Sequence, residues 1–201
     1  MPRHGAFDLD ALPVDELARV ETFGSAERRR QFVLGRLAVR RLVAAQHDVP
    51  EAKVPIELGS DGAPTVRGGF VSIAHGGTGF DAIGMAAFAH QPVGVDVEII
   101  RERHPRLADR ILRPDEAHLK AVLRMEQTSG VPLVWSLKEA VLKGQRTGLR
   151  AGARSVRIAE IDIASSRARA ESDVSGPWRL TYERRGDLWL TVALAEAQAP
   201  T

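Results

Sequence analysis

Trp135-Ser-Leu-Lys-Glu-Ala-Val-Leu-Lys143 is the stretch that decides how the chain is organised. Placed on a helix at about 100° per residue, it is not an ordinary amphipathic segment. Val134, Leu137 and Val141 fall within one arc and face a core. Glu139 and Lys143, at i and i+4, share the opposite, polar side with Ser136, while Lys138 falls between the directions of Val134 and Leu142. A carboxylate flanked by two ammonium groups suits a site that holds a metal ion and phosphates. Taken alone, the same letters also describe a solvated face with one Glu–Lys pair, stabilising by roughly 0.2–0.5 kcal/mol.

A second stretch upstream separates these alternatives. Along Val93-Gly-Val-Asp-Val-Glu98 the alternation is strict: the valines point one way, and Gly94, Asp96 and Glu98 the other. Two carboxylates two apart on a strand stand side by side and repel unless a cation lies between them. Asp96, Glu98 and Glu139 then supply three hard oxygen ligands. Without cysteines or histidines paired at helical spacing, Mg²⁺ or Mn²⁺ is favoured over zinc. Lys138, Lys143, His75 and the arginines of residues 28–40 are the phosphate partners. The residues thus point to a Mg²⁺-dependent enzyme acting on a diphosphate-containing substrate.

Outward from these motifs, residues 1–24 are expected to be irregular, with one short helix over 14–20. A long helix is expected from the N-cap Ser25 to about Gln46, burying Val33, Leu34, Leu37, Ala38, Leu42 and Val43. Arg29, Arg36 and Arg40 stripe its other side. Five arginines in residues 28–40, with Glu27 nearby, make a positive field suited to phosphates. Residues 54–58 and 70–75 read as extended, the latter ending at His75 before Gly76-Gly77, where glycine lets backbone approach a ligand. Residues 80–89 and 93–99 are expected to form a hairpin across His90-Gln-Pro92. Arg113-Pro-Asp-Glu116 reads as a helix start, with Pro114 at the first position and acids in the first turn. Strands follow at 155–163, 178–184 and 188–195, the last two joined around Arg185-Gly-Asp187.

A long helix followed by strands therefore occurs twice. The fold expected is α+β, a pseudo-dimer of two similar α/β halves with the active site in the cleft between them. The division is placed at 1–95, with the arginines and histidine, and 96–201, with the metal ligands and the WSLKEAVLK helix. At 201 residues the chain accommodates one large domain or two small ones, and 44% hydrophobic with 27% charged content is that of a globular protein. A net charge of +2 gives no argument for nucleic acid. No signal-peptide core and no long uncharged apolar run is present, so a cytoplasmic protein with no membrane partner is expected.

The two motifs, with Glu139 following Asp96 by 43 positions, resemble the signature of the Sfp-type 4′-phosphopantetheinyl transferases. That signature joins a (V/I)G(V/I)D-x-E strand to a W/F-S/C-x-K-E-x-x-x-K helix. Residues 28–41 (RRRQFVLGRLAVRR) are similar to the family's R-x-x-x-F-x-x-x-R helix, and residues 71–76 (VSIAHG) to its S-x-S/T-H strand end. The resemblance implies transfer of the phosphopantetheine arm of coenzyme A to a serine of an apo acyl- or peptidyl-carrier protein, in fatty-acid, polyketide or nonribosomal-peptide synthesis. It implies a monomer in which Asp96, Glu98 and Glu139 hold Mg²⁺ and Lys138 and Lys143 contact phosphates. Lys143 then assists the leaving group and Glu139 acts as general base. His75, Arg28 and Arg36 are implied to bind CoA phosphates, with Arg29 or Arg30 as alternatives to Arg28. Two departures stand out: Gly62-Ala-Pro64 replaces the family's G-K-P, with Arg67 a candidate substitute for the lysine, and Ala74 stands where relatives carry Ser or Thr. The rivals are a CoA-binding module without turnover and an unrelated Mg²⁺-dependent transferase. The absence of a G-x-x-x-x-G-K-S/T loop argues against a P-loop version of the latter.

Overall fold

In the computed structural model, residues 9–59, 61–77, 82–104, 106–124, 128–147 and 151–196 are described. After a 3-10 turn over Leu9–Ala11, a short helix, α1 (Val14–Glu21), lies against the long helix α2 (Ala26–His47). Ser25 caps α2 by accepting a hydrogen bond from the Arg28 N–H, at 3.1 Å. Asp48 ends it in a left-handed conformation, φ 51°. Of the expected apolar face, Val33, Leu37 and Val43 are buried and Leu34, Ala38 and Leu42 partly so, and the arginine stripe is not solvated along its length. Arg36 and Arg40 are buried beneath α1, where Glu16 accepts from Arg40 Nε at 3.0 Å and stands 3.6 Å from Arg36 Nε. Arg40 Nη1 also donates to the carbonyls of Glu51 and Val54, so this guanidinium ties α1, α2 and the chain beyond together.

The first sheet is antiparallel, in the order β1 (Glu57–Leu58), β2 (Pro64–Val66), β3 (Gly69–Gly76), β4 (Ile83–Ala89). Val39 and Val43 of α2 pack with Val54, Val66 and Val71 to close this half's core. The expected hairpin of residues 80–89 with 93–99 is not formed among the described residues; residues 80 and 81 lie outside them. Strand β4 pairs with β3, from Phe70↔Ala89 to Gly76↔Ile83. Strand β5 (Val93–Ile99) instead crosses to the edge of a second sheet and pairs with β9 (Leu188–Ala195). Burial explains the crossing, since both faces of β5 need cover. Val95 and Val97 pack on Ala74, Ile83 and Met85 of the first sheet. The Val95 N–H donates to Ser72 Oγ at 3.1 Å, linking β5 to β3 without a ladder.

The second sheet runs β5, β9, β8 (Gly176–Arg185), β7 (Arg167–Ser172), β6 (Val156–Asp162), all antiparallel. Between β5 and β6, α3 (Arg106–Ile111) ends before the helix start expected at Arg113–Glu116, and α4 (Lys120–Arg124) begins several residues after it. The chain is non-helical through Glu116 and enters α4 by a single 3-10 turn over Ala117–Leu119. Helix α5 (Gly130–Gly144) carries the WSLKEAVLK stretch and is clamped between α3 and α4 on one side and the sheet on the other. No helix among the described residues is long and apolar enough to cross a membrane.

The position of α5 is set by contact with β5. A Cβ on Gly94 would lie 1.8 Å from the Ala140 carbonyl oxygen, so only glycine lets the helix rest on the strand. On the far side of α5, Lys138 is wholly buried and its ammonium uses all three donors, on Glu116 Oε2 (2.7 Å) and the carbonyls of Ile111 (2.8 Å) and Val156 (2.7 Å). Glu116 also accepts from the N–H groups of Arg113 and Ile158, at 2.7 and 2.6 Å. These bonds draw Glu116 inward, which is why it does not sit in a first helical turn. Glu116→Ala strands a buried ammonium and is expected to destabilise the fold by about 3–5 kcal/mol, with a thermal midpoint roughly 10 °C lower by calorimetry. Replacing both partners, Glu116→Leu with Lys138→Met, removes the unpaired charge but leaves the Arg113 and Ile158 N–H groups and the Ile111 and Val156 carbonyls without these partners. It is therefore expected to recover only part of that loss. A Glu116→Ala protein that melts with wild type would refute this role.

Candidate active site

The close approach of α5 to β5 turns two sequence-distant carboxylate groups toward each other. Asp96 and Glu98 leave β5 on the face that meets α5; Glu139 and Lys143 leave α5 toward β5. The side of the helix read as polar is therefore enclosed, Glu139 being 8% exposed and Asp96 4%. Lys143 Nζ donates to Asp96 Oδ1 at 2.6 Å. Glu98 accepts from Trp135 Nε1 at 2.9 Å through one oxygen and from Arg103 through the other. Asp96 Oδ2 and Glu139 Oε1 are buried, and neither has a hydrogen-bond partner among the described residues.

These orphaned oxygens carry the electrostatics of the site. Burial, reinforced by the charges of Asp96 and Glu98 against that of Lys143, pushes the Glu139 carboxyl up to about 7. Glu98 is raised as well, first by burial and then by Asp96, with Arg103 and Trp135 opposing. As the side chains stand, no three His, Asp or Glu among the described residues form a group that could hold a metal ion. Glu98 is turned to Arg103 and Trp135. Even so, two hard buried anionic oxygens without donors, beside a third carboxylate, have the chemistry that a small divalent cation satisfies. The residues fit such an ion.

The cationic side of the site comes from the other half. His75, at the exposed end of β3, is brought beside β5 because Gly76 abuts Val97, where a Cβ would lie 2.4 Å from Val97 Cγ1. Partial burial, then Lys143 and Arg28, hold the imidazole below its usual range. Arg28, at the exposed start of α2, is thus close enough for its charge to act on the His75 ring. Arg29 is turned away, its Nε donating to the Phe23 carbonyl at 2.9 Å.

Two expected phosphate contacts are not brought here. Lys138 is corrected to the buried pair with Glu116, because its helical direction leads into the α3–α4 side, away from the carboxylates. Arg36 is corrected likewise: it lies 7% exposed between Glu16 and the ring of Phe32, 5.1 Å from the ring centroid, and its charged neighbours are Glu16, Arg19, Arg40 and Asp15. Ala74, 2% exposed, points into the cluster with Val95 and Val97, so its departure from Ser/Thr takes no group from the cleft. A cavity of about 360 Å³ adjoins Lys143, between the Ala63-Pro64 turn, Phe70 on β3, and Arg146 and Thr147 beyond α5. Trp135, Arg103 and Arg146 are contributors that residue patterns did not assign. The first opens the helix motif and so carried a signal; the two arginines carried none.

A raised carboxyl has a thermodynamic consequence. Folding favours neutral Glu139, so its contribution is fully present below about pH 4.5, declines as pH rises to about 7, and stays absent above. In EDTA, Glu139→Gln is expected to flatten this decline and to stabilise the protein at pH 8 by on the order of 3 kcal/mol. Added Mg²⁺ is expected to raise the thermal midpoint of the unaltered protein by several degrees and that of the variant much less. Equal metal responses in the two would contradict the ligand set.

Comparison with known proteins gives the family. The family described as the 4′-phosphopantetheinyl transferase superfamily matches residues 92–193, from β5 into β9. The 4′-phosphopantetheinyl transferase HetI of Nostoc sp. is 31% identical over 168 residues, covering 78% of this chain and 67% of that protein. The 4′-phosphopantetheinyl transferases ffp and Sfp of Bacillus subtilis are 28% and 27% identical over 165 residues, each comparison covering 74% of this chain and 72% of the relative. With both signature motifs folded onto one another across the α5–β5 contact, the chain belongs to the 4′-phosphopantetheinyl transferase superfamily.

Proposed function

We propose that the protein transfers the 4′-phosphopantetheine arm of coenzyme A to a serine hydroxyl of an apo acyl- or peptidyl-carrier protein. The observation that carries the proposal is the buried Asp96–Glu139 pair, each with an unpartnered oxygen, set against Lys143 beside His75 and Arg28. A carboxylate pair next to a row of cations is complementary to a metal–diphosphate, and family membership supplies the substrate.

In this reading Asp96, Glu98 and Glu139 would hold Mg²⁺, with Mn²⁺ an acceptable replacement. When bound, the ion supplies charge neutralisation and orientation at phosphorus. Lys143 contacts the diphosphate and stabilises the charge that develops on the leaving phosphate. His75 and Arg28 take the remaining CoA phosphates, and the cavity beside Lys143 receives the nucleotide end. Glu139, with a buried oxygen that no hydrogen-bond donor among the described residues engages, is suited to accept the serine proton, directly or through water. The serine Oγ–P bond forms as the P–O bond of the diphosphate breaks, releasing adenosine 3′,5′-bisphosphate and leaving the holo carrier.

The two halves, 1–95 and 96–201, serve as the CoA-binding and metal-binding sides of this cleft. The unbroken pairing of β5 with β9 favours moving the join to the N-terminal side of Val93. We further propose that the protein acts as a cytoplasmic monomer. Intact-mass spectrometry of several apo carrier proteins, incubated with CoA, Mg²⁺ and this protein, is expected to show the phosphopantetheine mass gain. Glu139→Gln is expected to fold and to lose at least 100-fold in turnover, in line with removal of a general base (about 10²–10⁴). No mass gain on any carrier would sink the transferase reading; a fully active variant would sink only the role of Glu139.

A further inference from the structure

Arg146 stands out because its backbone is strained where its side chain lines a cavity. It adopts φ 60°, a left-handed conformation that an arginine takes only at a cost. The turn that imposes it is fixed from both sides. The Arg146 N–H donates to the Lys143 carbonyl at 3.1 Å. Gln145 Oε1 accepts from Ser172 Oγ and Ser175 Oγ at 2.5 and 2.9 Å, and its Nε2 donates to Thr147 Oγ1 at 2.8 Å. Such a clamp would hold glycine at 146 equally well, so the turn itself has no need of a guanidinium.

The side chain crosses the seam between the halves. Arg146 Nη2 donates to the Pro64 carbonyl at 3.4 Å, and Nη1 stands 3.8 Å from Asp61 Oδ2, both long contacts. The guanidinium is 30% exposed on the wall of the 360 Å³ cavity, with Lys143 on the same wall. The cavity is also lined by Ala63 and Phe70, and among the described residues no cationic side chain from the Asp61–Pro64 segment lines it. Two cations converging on a cavity with a partly apolar floor form a receptor for an anionic nucleotide.

We propose that Arg146 is a substrate-binding residue that sets affinity for the nucleotide end of CoA, filling from the second half the cationic position that Ala63 leaves empty in the first. The inference rests on the transferase reading and deepens it. Arg146 does not touch the reacting phosphorus, so its loss acts on KM and leaves kcat in place.

The test measures adenosine 3′,5′-bisphosphate binding by calorimetry, alongside transfer kinetics, for the unaltered protein, Arg146→Gln and Arg146→Gly. Both variants are expected to bind the nucleotide about tenfold or more weakly, in keeping with loss of one charge-assisted contact. KM for CoA should rise in parallel, with kcat within about twofold. Arg146→Gly, freed of strain, is expected to keep or raise the thermal midpoint; a merely structural Arg146 would give the opposite. If the unaltered protein binds the nucleotide and both variants bind it equally well, this inference alone falls. If the unaltered protein neither binds the nucleotide nor modifies any carrier, the transferase reading falls and takes the inference with it.

Discussion

The rest of the site depends on how closely helix α5 can lie on strand β5. With no side chain at Gly94, the Ala140 carbonyl and the Gly144 backbone come into direct contact with the strand, and Trp178 closes over Gly144 from beyond. At any larger separation the carboxylates of β5 would face water or core instead of Glu139 and Lys143. The same approach buries the polar side of the helix, raising the carboxyls of Glu98 and Glu139. One steric fact about one glycine thus fixes both the geometry of the site and its unsatisfied charge.

That unsatisfied charge contrasts with the polar groups buried elsewhere. Lys138 and Glu116 are as deeply buried as any side chain, yet the Lys138 ammonium has three acceptors and Glu116 three donors. Arg40 is similarly saturated by Glu16 and two backbone carbonyls. Arg36 Nη1, Glu51 Oε2 and Arg103 Nε are also buried without a hydrogen-bond partner among the described residues. What sets Asp96 Oδ2 and Glu139 Oε1 apart is that two carboxylate oxygens on facing elements are left open together. By this measure the adjacent residues Lys138 and Glu139 have opposite purposes, although on paper both are charged residues of one motif.

Alternation along β5 was legible from the letters because valine, glycine and acid at a period of two admit one sensible orientation. Legible too were α2, with its serine cap, and the final hairpin. The strand β7 was not: its buried positions are Ala168, Ala170 and Ser172, small residues with little strand preference, set between exposed arginines and a glutamate. Nor was the departure of β5 from its neighbour β4. Local turn chemistry at His90-Gln-Pro92 favours a hairpin, and it was overruled because the valine face of β5 had to cover the first sheet while its other face carried α5.

By itself the sequence determined that two halves exist, that Asp96, Glu98, Glu139 and Lys143 belong to one constellation, and that hard-cation and phosphate chemistry suits them. Period, charge and spacing are local properties, and they survive without coordinates. Only the tertiary structure decided which cations lie near these carboxylates and which are packed elsewhere. Lys138 and Arg36 look like phosphate partners in one dimension, but packing turns them to Glu116 and Glu16. His75 stands beside β5, where the charges of Lys143 and Arg28 act on its ring, and Arg146, with no motif to announce it, lines the cavity next to Lys143. A long cationic side chain follows whichever counter-charge the packing brings within its reach, and that partner lies on another element of the chain.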